Sequence, residues 1–404
     1  MSDQFIDLEV IGRGSFGLIK KVQHVKSGRI FVRKEISYRS LSKKEEKQLA
    51  SEFEILQNLK HPNIVRVYDY EKLPNEKLLN IYMEYCDGGD VSQLIKRHRE
   101  SKQYINETLI WQIFTQTLLA LYRCHYGSEI QPVDILCKST QEIRPPSGND
   151  QVVIHRDIKP ENIFFMSDKY SVKLGDFGLA KSLAPETHFT QTYVGTPYYM
   201  PPEVIKEQAY NTLCDVWSLG CVIYELCALI PPFTAKTHTQ LQEKIKNGIF
   251  PDIPSHFSNR LVMCIKACLV VDPTERADVN QLLQEVCFKI YRKEWELYQK
   301  EYEIARKEAE LVKYAKSLDD ERKKINIQNE EIKRAMVAEY KYVVDSKLQQ
   351  MIADFPNEIR SLLQCKLREK QTTTSYNQYL NSPSKLKGPQ AYEIAEERYK
   401  RQLH

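Results

Sequence analysis

The sequence predicts an α+β chain: a small β-rich lobe, then a larger helical lobe, then a long helix. Three observations carry this. Strand-like runs of alternating apolar residues fill residues 5–85, whereas from Val91 to about Val286 the apolar residues recur at helical spacing. Glycine punctuates only the front of the chain, and after Gly248 the next is Gly388. Between Cys287 and Phe355 there is neither proline nor glycine, and Glu, Lys, Arg and Tyr dominate, which is the composition of one uninterrupted helix.

Taken in order, residues 1–4 are a short extension. Phe5–Ile11, Leu18–His24, Ile30–Ile36, Val65–Tyr70 and Leu79–Tyr85 read as strands around one charged amphipathic helix, about Lys43–Leu59. Residues 5–86 form the small lobe and 87–288 the helical one. Residues 289–350 read as a coiled coil. Tyr291, Trp295, Tyr298, Tyr302, Ala305, Ala309 and Val312 recur at alternating four and three spacing, and a second frame runs through Leu311, Ala315, Leu318, Ile325, Ile332, Met336 and Val343, with Arg322 and Asn329 as polar seam positions. Residues 351–404, with Thr372-Thr373-Thr374-Ser375 and Asn381-Ser382-Pro383-Ser384, are expected to be largely disordered.

Composition limits function. Lys plus Arg exceed Asp plus Glu by only 4 charges (58 against 54), so no whole-chain field points to direct nucleic-acid binding. The N-terminus lacks a basic and apolar leader, and no run approaches the ~18 apolar residues of a membrane span, so a soluble intracellular protein is expected. The 10 cysteines show no C-x-x-C and no zinc spacing. They read as reduced thiols, with Cys264 and Cys268 buried one helical turn apart.

The first chemical signal is Gly12-Arg13-Gly14-Ser15-Phe16-Gly17 followed by Leu18-Ile19. A dinucleotide loop would open a helix here, but Leu18-Ile19-Lys20-Lys21-Val22 continues as a strand, so a glycine flap between two strands, closing backbone N–H groups over phosphates, fits better. Fifteen residues past Ile19, Lys34 stands in an otherwise apolar strand. More specific is Val153-Ile154-His155-Arg156-Asp157-Ile158-Lys159-Pro160-Glu161-Asn162, the H-R-D-x-x-x-x-N pattern, with Asp176-Phe177-Gly178 starting fourteen residues after Asn162 and Pro201-Pro202-Glu203 beyond it.

These four motifs in this order resemble the eukaryotic protein kinase catalytic domain, over roughly residues 5–288. The resemblance implies a bilobal kinase fold and a serine/threonine protein kinase acting on protein substrates with ATP and Mg2+. Phosphoryl transfer needs positioning and charge neutralisation more than covalent help, and the implied roles follow that need. Asn162 and Asp176 supply hard oxygen ligands to Mg2+. Lys34 holds the α and β phosphates and is fixed by Glu52 on the amphipathic helix, with Glu54 as second choice. Asp157 accepts or orients the substrate hydroxyl proton, and Lys159, whose presence marks Ser/Thr rather than tyrosine kinases, neutralises the transferring group. The nucleotide lies under Gly12, Arg13, Gly14, Ser15, Phe16, Gly17 and Leu18. Its base sits among Ile11, Ile19, Val32, Met83 and Phe164, against the hinge Glu84-Tyr85-Cys86. Val32 stands where alanine is commoner. Asp215 anchors the catalytic loop, and Glu203 pairs with Arg276. Pro201 replaces a small residue and leaves the geometry of that segment open.

Leu59-Lys60-His61-Pro62-Asn63-Ile64-Val65, Val194-Gly195-Thr196-Pro197-Tyr198-Tyr199-Met200 and Tyr224-Glu225-Leu226-Cys227-Ala228-Leu229 narrow the likeness to the NIMA-related (Nek) kinases, whose layout of kinase domain and coiled coil is the same. That implies a homodimer through the coiled coil and mitotic cell-cycle work in nucleus and cytoplasm, at spindle poles or on chromosomes. Thr192 matches the activating site, Thr190 a secondary one, and Thr196 contacts the catalytic Asp and Lys. Arg156 and Lys181 receive the loop phosphate. Ser382, in Ser382-Pro383-Ser384-Lys385, has the form of a proline-directed mitotic site. About 25 extra residues, roughly 126–151, are similar to an insertion of the fungal members and read as a plain surface loop. The competing reading is a pseudokinase scaffold acting through coiled coil and tail.

Overall fold

The computed structural model describes residues 4–14, 17–37, 53–133, 152–177, 198–209 and 211–373. Two compact units result, Met1–Ile304 and Ala305–His404. In the first, five strands, β1 (Phe5–Gly14), β2 (Gly17–His24), β3 (Ile30–Ser37), β4 (Val67–Leu73) and β5 (Leu78–Glu84), form an antiparallel sheet of order β1-β2-β3-β5-β4. Alternation in β3 decides which face carries chemistry. Val32 and Lys34 point one way, opposite Met83 and Ile81 of β5, while Arg33 points the other way and is held by Asp7 (2.7 Å) and Glu35 (2.9 Å). A helical segment over 53–58 (α1) seals the sheet with Phe53 and Leu56, the Phe53 ring stacked 5.2 Å from Tyr70.

The helical lobe is built around helices with chemically legible ends. Asp90 caps α2 (Val91–Ser101) by accepting from the Gln93 N–H, and Asn106 caps α3 (Glu107–Tyr126), which stops at Gly127 in the left-handed region. Two short strands, β6 (Ile163–Phe165) and β7 (Val172–Leu174), follow, then α4 (Pro202–Ile205) and α5 (Leu213–Ala228). Apolar residues all round α5 place it at the centre of the lobe, where Val216, Trp217, Leu219 and Val222 are fully buried. Helices α6 (His238–Asn247), α7 (Asn259–Cys268) and α8 (Val279–Gln284) complete it, and Cys264 and Cys268 are buried as expected. The open question at Pro201 resolves simply. Pro201 is the N-cap of α4 and Pro202 its first residue, so the missing N–H groups are ones that helix geometry leaves unpaired anyway.

Three expectations need correction. The long helix α9 runs Val286–Ala353, but its first turns belong to the catalytic unit. Phe288, Arg292 and Trp295 are buried there, with Tyr291 stacked on Trp111, Trp295 stacked on Tyr170 and the Tyr298 ring tilted against Tyr170. Tyr291, Trp295 and Tyr298 are therefore core contacts rather than the start of a coiled-coil seam, since a helix packing on a domain uses the same three and four spacing as a heptad. Second, the tail is not irregular from residue 351. Pro356 ends α9, its carbonyl accepts from the Ile359 and Arg360 N–H groups, and α10 (Asn357–Thr373) follows with Leu363 and Leu367 half-buried. Its residues are good helix formers with apolar positions four apart, a pattern that outweighs the polar composition. Third, the described start of the insertion is no plain surface loop. Ile130 packs on the core, Glu129 pairs with His61 at 3.3 Å, and Gln131 and Val133 are bonded to Arg292, Lys293 and Glu296 of α9. The insertion's residues 134–151 lie outside the described residues.

Candidate active site

The loop carrying His155, Arg156 and Asp157 is held from below. The Val153 N–H donates to the Cys124 carbonyl (2.9 Å), bringing the chain back to the end of α3. The Asp215 carboxylate, buried in the first turn of α5, then accepts from the backbone N–H of His155 (2.8 Å) and of Arg156 (2.9 Å) and from His125 Nε2 (2.9 Å). Burial alone would raise the Asp215 pKa. The His125 hydrogen bond and the other donors outweigh it and hold the carboxyl below its ordinary range. Arg156 pays for this arrangement with φ +66, in the left-handed region that non-glycine residues enter rarely.

His155 is fully buried as the neutral imidazole. Its Nε2 donates to the Gly175 carbonyl (2.9 Å), its Nδ1 accepts from the Asp157 N–H (3.3 Å), and its ring lies 4.5 Å from that of Phe177. Burial pushes its pKa below the ordinary 6.5 against the upward pull of Asp215 and Asp157. As pH falls below 6.5 the unfolded chain therefore binds a proton that the folded one refuses, and stability declines; Asp215 adds a second loss below its ordinary 3.8. The melting temperature is expected to drop between about pH 7.5 and pH 5.5, and less steeply in His155→Gln. A pH-independent melting temperature in the wild type would contradict this.

Above the anchor the polar residues converge. Lys159 Nζ donates to Asp157 Oδ2 at 3.0 Å. Asn162, 3% exposed, donates through Nδ2 to the Asp157 carbonyl (2.7 Å) and to its Oδ2 (3.0 Å), which fixes the amide so that Oδ1 is its free acceptor end. The Gly175 N–H donates to the Asn162 carbonyl (2.9 Å), and Asp176, at φ +55, meets Lys34 Nζ at 2.5 Å. Gly175 is closely packed here, because a Cβ would stand 2.7 Å from Val65 Cγ2 and 3.0 Å from Phe164, so a larger residue would force those side chains to shift. Across β1 and β2, Gly14 pairs with Gly17, where a Cβ would collide with the Glu35 carbonyl.

The donor set fits a hard divalent cation. Two oxygens, the Asp176 carboxylate and the Asn162 amide, lie on adjoining segments, and no cluster of three or more His, Cys, Asp or Glu occurs among the described residues. A cation with so few protein ligands needs phosphate and water oxygens to complete its shell, which is the habit of Mg2+ with a nucleotide. The residues expected around a base are apolar: Val32 faces Met83 across β3 and β5, and Phe164 is half-buried. At its edge burial and then the neighbouring Glu84 push the Cys86 thiol up to about 12, so it stays neutral. The Glu84 side chain is engaged elsewhere, with Lys173 at 3.1 Å.

Structure thus brings together Lys34, Asp157, Lys159, Asn162 and Asp176. Asp215 and the Glu203–Arg276 pair sit where expected, the latter at 2.8 and 2.9 Å. Ser15, Phe16, Glu52, Lys181, Thr190, Thr192, Thr196 and Ser382 lie outside the described residues. Sequence reasoning missed His125 and the Asn63–Gln116 bond (2.9 Å) that ties the loop between α1 and β4 to α3. A buried Asp215 demanded a further donor, and that demand was the one available signal for His125.

Residues 5–143 and 149–288 match the protein kinase domain family. G2-specific protein kinase nim-1 of Neurospora crassa is 48% identical over 300 residues, which cover 73% of this chain and 34% of its own length. G2-specific protein kinase nimA of Emericella nidulans is 38% identical over 379 residues, 91% of this chain and 54% of its own. Human serine/threonine-protein kinase Nek2 is 41% identical over 277 residues, 69% and 58% respectively. The chain therefore spans between about a third and about three fifths of these relatives. With the Gly12–Gly14 and Gly17 strands, the catalytic loop and the Asp176-Phe177 segment on two lobes, the chain belongs to the protein kinase domain family, and it is the NIMA-related kinases of that family that it resembles.

Proposed function

We propose that the chain is a serine/threonine protein kinase that transfers the ATP γ-phosphate to protein hydroxyls. The carrying observation is the convergence of Lys34, Asp157, Lys159, Asn162 and Asp176 on one cleft between the lobes. Asp157 orients and accepts the proton of the acceptor hydroxyl, its Oδ2 kept in place by Lys159 and Asn162. Lys159 and Lys34 offset the negative charge that gathers on the phosphates. Asn162 Oδ1 and the Asp176 carboxylate would hold Mg2+. When bound, that ion supplies charge neutralisation across the phosphate oxygens. Glycines 12, 14 and 17, with Arg13 and Leu18, cover the phosphates, while Ile11, Ile19, Val32, Met83 and Phe164 exclude water from the base. A scaffold without catalysis finds no support in residues so complete. The test is incorporation of labelled γ-phosphate from ATP into an acceptor protein by the purified full chain with and without magnesium. Phosphate is expected on Ser and Thr and not on Tyr.

The relatives' names place G2 in their function. Cell-cycle work in nucleus and cytoplasm, at spindle poles, is the corresponding reading for this chain. Its regulation centres on Thr192, with Thr190 secondary, Ser382 as a tail site, and Thr196 contacting the active site. A phosphate of about −2 charge at Thr192 would offset the repulsion between Arg156 and Lys181 and order the loop between Asp176 and Glu203. Thr192→Ala is expected to lower kcat about 10- to 100-fold, the size of one or two charge-assisted hydrogen bonds, with ATP binding intact. Full activity in Thr192→Ala together with its loss in Thr190→Ala would move the site by one threonine.

From residue 305 onward α9 exposes Leu311, Leu318, Ile325, Ile332, Met336 and Val343, each 47–66% accessible. An apolar seam of that spacing is covered by a second copy in a homodimeric coiled coil. The 404-residue chain is expected to sediment as a dimer and Ile325→Glu/Ile332→Glu as a monomer, whose self-phosphorylation then falls with dilution. A monomeric wild type at micromolar concentration removes the premise.

A further inference from the structure

The two proposed metal-holding residues, Asn162 and Asp176, flank the open ends of one hairpin. Only three residue pairs join its strands: Ile163 with Leu174, Phe164 with Lys173 and Phe165 with Val172. Two strands that short do not hold themselves in place. The position of the hairpin therefore depends on what grips it.

From within, Gln116 of α3 accepts from the Val172 N–H (2.7 Å) and donates to the Tyr170 carbonyl (2.9 Å). From the other side the grip comes from α9. Asp168 ties the turn by accepting the Tyr170 (2.9 Å) and Ser171 (2.8 Å) N–H groups through Oδ1, and its Oδ2 accepts from the Tyr298 hydroxyl at 2.8 Å. The Tyr170 ring lies 4.4 Å from that of Tyr298 and stacks 5.8 Å from Trp295, itself 5% exposed. The root of α9 is in turn fixed, by Phe288 packed edge-on against Trp111 and Phe114 and by buried Arg292 donating to the Leu283 (3.1 Å) and Gln131 (2.7 Å) carbonyls.

We infer that Trp295 and Tyr298 are positioning residues, which set the metal-holding hairpin against the Asp157 loop. This rests on the metal-holding role proposed for Asn162 and Asp176. The two halves of the site have separate anchors. Asp215 fixes the loop that carries Asp157, while the hairpin between Asn162 and Asp176 is held along its strands by backbone bonds of Leu174 to Asn63 and Val65 and of Phe165 to Gly88 and Gly89, and at its turn by α9. The Asn162 Nδ2 bonds to Asp157 are where the halves meet. Loosening the α9 grip frees the turn end of the hairpin without touching a ligand residue, so the loss falls on binding that depends on the metal. Binding of the bare nucleotide, which rests on the sheet and the hinge, stays.

The test is calorimetric binding of ATP to the full chain with and without Mg2+, with hydrogen exchange of residues 163–174 measured in parallel. Tyr298→Phe keeps the ring and removes only the bond to Asp168. It is expected to cut the affinity gained on adding Mg2+ by about threefold, the size of one net hydrogen bond, and to speed exchange at the turn. Trp295→Ala is expected to cut that gain about tenfold, with Trp295→Phe restoring part of it. Leu297→Ala, on the exposed side of the same turn, should match the wild type in both measurements. A merely structural role would lower the melting temperature and leave the magnesium gain of the folded fraction unchanged. Should Tyr298→Phe and Trp295→Ala both keep the wild-type gain and wild-type exchange, the inference is overturned. A wild type that binds ATP with magnesium yet transfers no phosphate defeats the catalytic reading alone, because the binding comparison still decides this one.

Discussion

Asp157→Asn is expected to lower phosphoryl transfer by about 10³- to 10⁴-fold, the upper range of a positioned general base, while the melting temperature moves by no more than about 2 °C. The two halves of this expectation have different origins. The carboxylate is half-buried and contributes little to packing. The substituted amide keeps an oxygen to accept from Lys159 Nζ and Asn162 Nδ2, which now stand at 3.0 Å each. What disappears is the charge that draws the hydroxyl proton. The Asp215 anchor is unaffected, because its bonds go to the backbone of His155 and Arg156. Labelled-phosphate incorporation beside a thermal melt checks both halves. Turnover within tenfold of wild type would remove Asp157 from the role assigned to it.

Arg276→Leu is expected to produce the largest loss of stability, about 3–5 kcal/mol, because it leaves the Glu203 carboxylate buried without its cation. The guanidinium makes 2.8 and 2.9 Å bonds to Glu203, donates to the Val270 (2.9 Å) and Leu213 (2.8 Å) carbonyls, and lies 5.1 Å from the Trp217 ring. Both partners are 3% exposed, so water cannot take over. At roughly 2–4 °C per kcal/mol for a domain of this size the melting temperature should fall by about 10 °C. The double variant Glu203→Leu/Arg276→Leu should recover much of that loss, though not all, since two backbone carbonyls still lack a donor. A single variant that melts like the wild type would show that the pair contributes nothing net.

Much of the site was legible because phosphoryl transfer dictates residue types at short spacing. Asp157, Lys159 and Asn162 lie within six residues of one another, so a single loop displays them, and the alternation in β3 puts Lys34 on the same face as Val32. Long-range structure was legible only where the family likeness carried it, as for Asp215 and for Glu203 with Arg276. The start of α9 was misread for a definite physical reason. Tyr291, Trp295 and Tyr298 have the spacing of a heptad, and what distinguishes a seam from a docked helix is the partner surface. That surface comes from Trp111 and Tyr170, more than a hundred residues earlier. Likewise the start of the insertion read as a plain surface loop because nothing nearby in sequence announces the pairing of Glu129 with His61.

The reach of the Asp215 anchor also has a consequence in time. Its partners His125, His155 and Arg156 precede it by 90, 60 and 59 residues, and the bracing Arg276 comes later still. A ribosome adding roughly 5–20 residues per second exposes the catalytic loop about ten seconds before the chain that braces it. Until α5 has been made, only water accepts from the His155 and Arg156 N–H groups, and Arg156 has no reason to hold its left-handed backbone. An unfinished chain therefore carries every residue of the Asp157 loop in no working order, and the geometry of that loop waits on completion of the helical lobe.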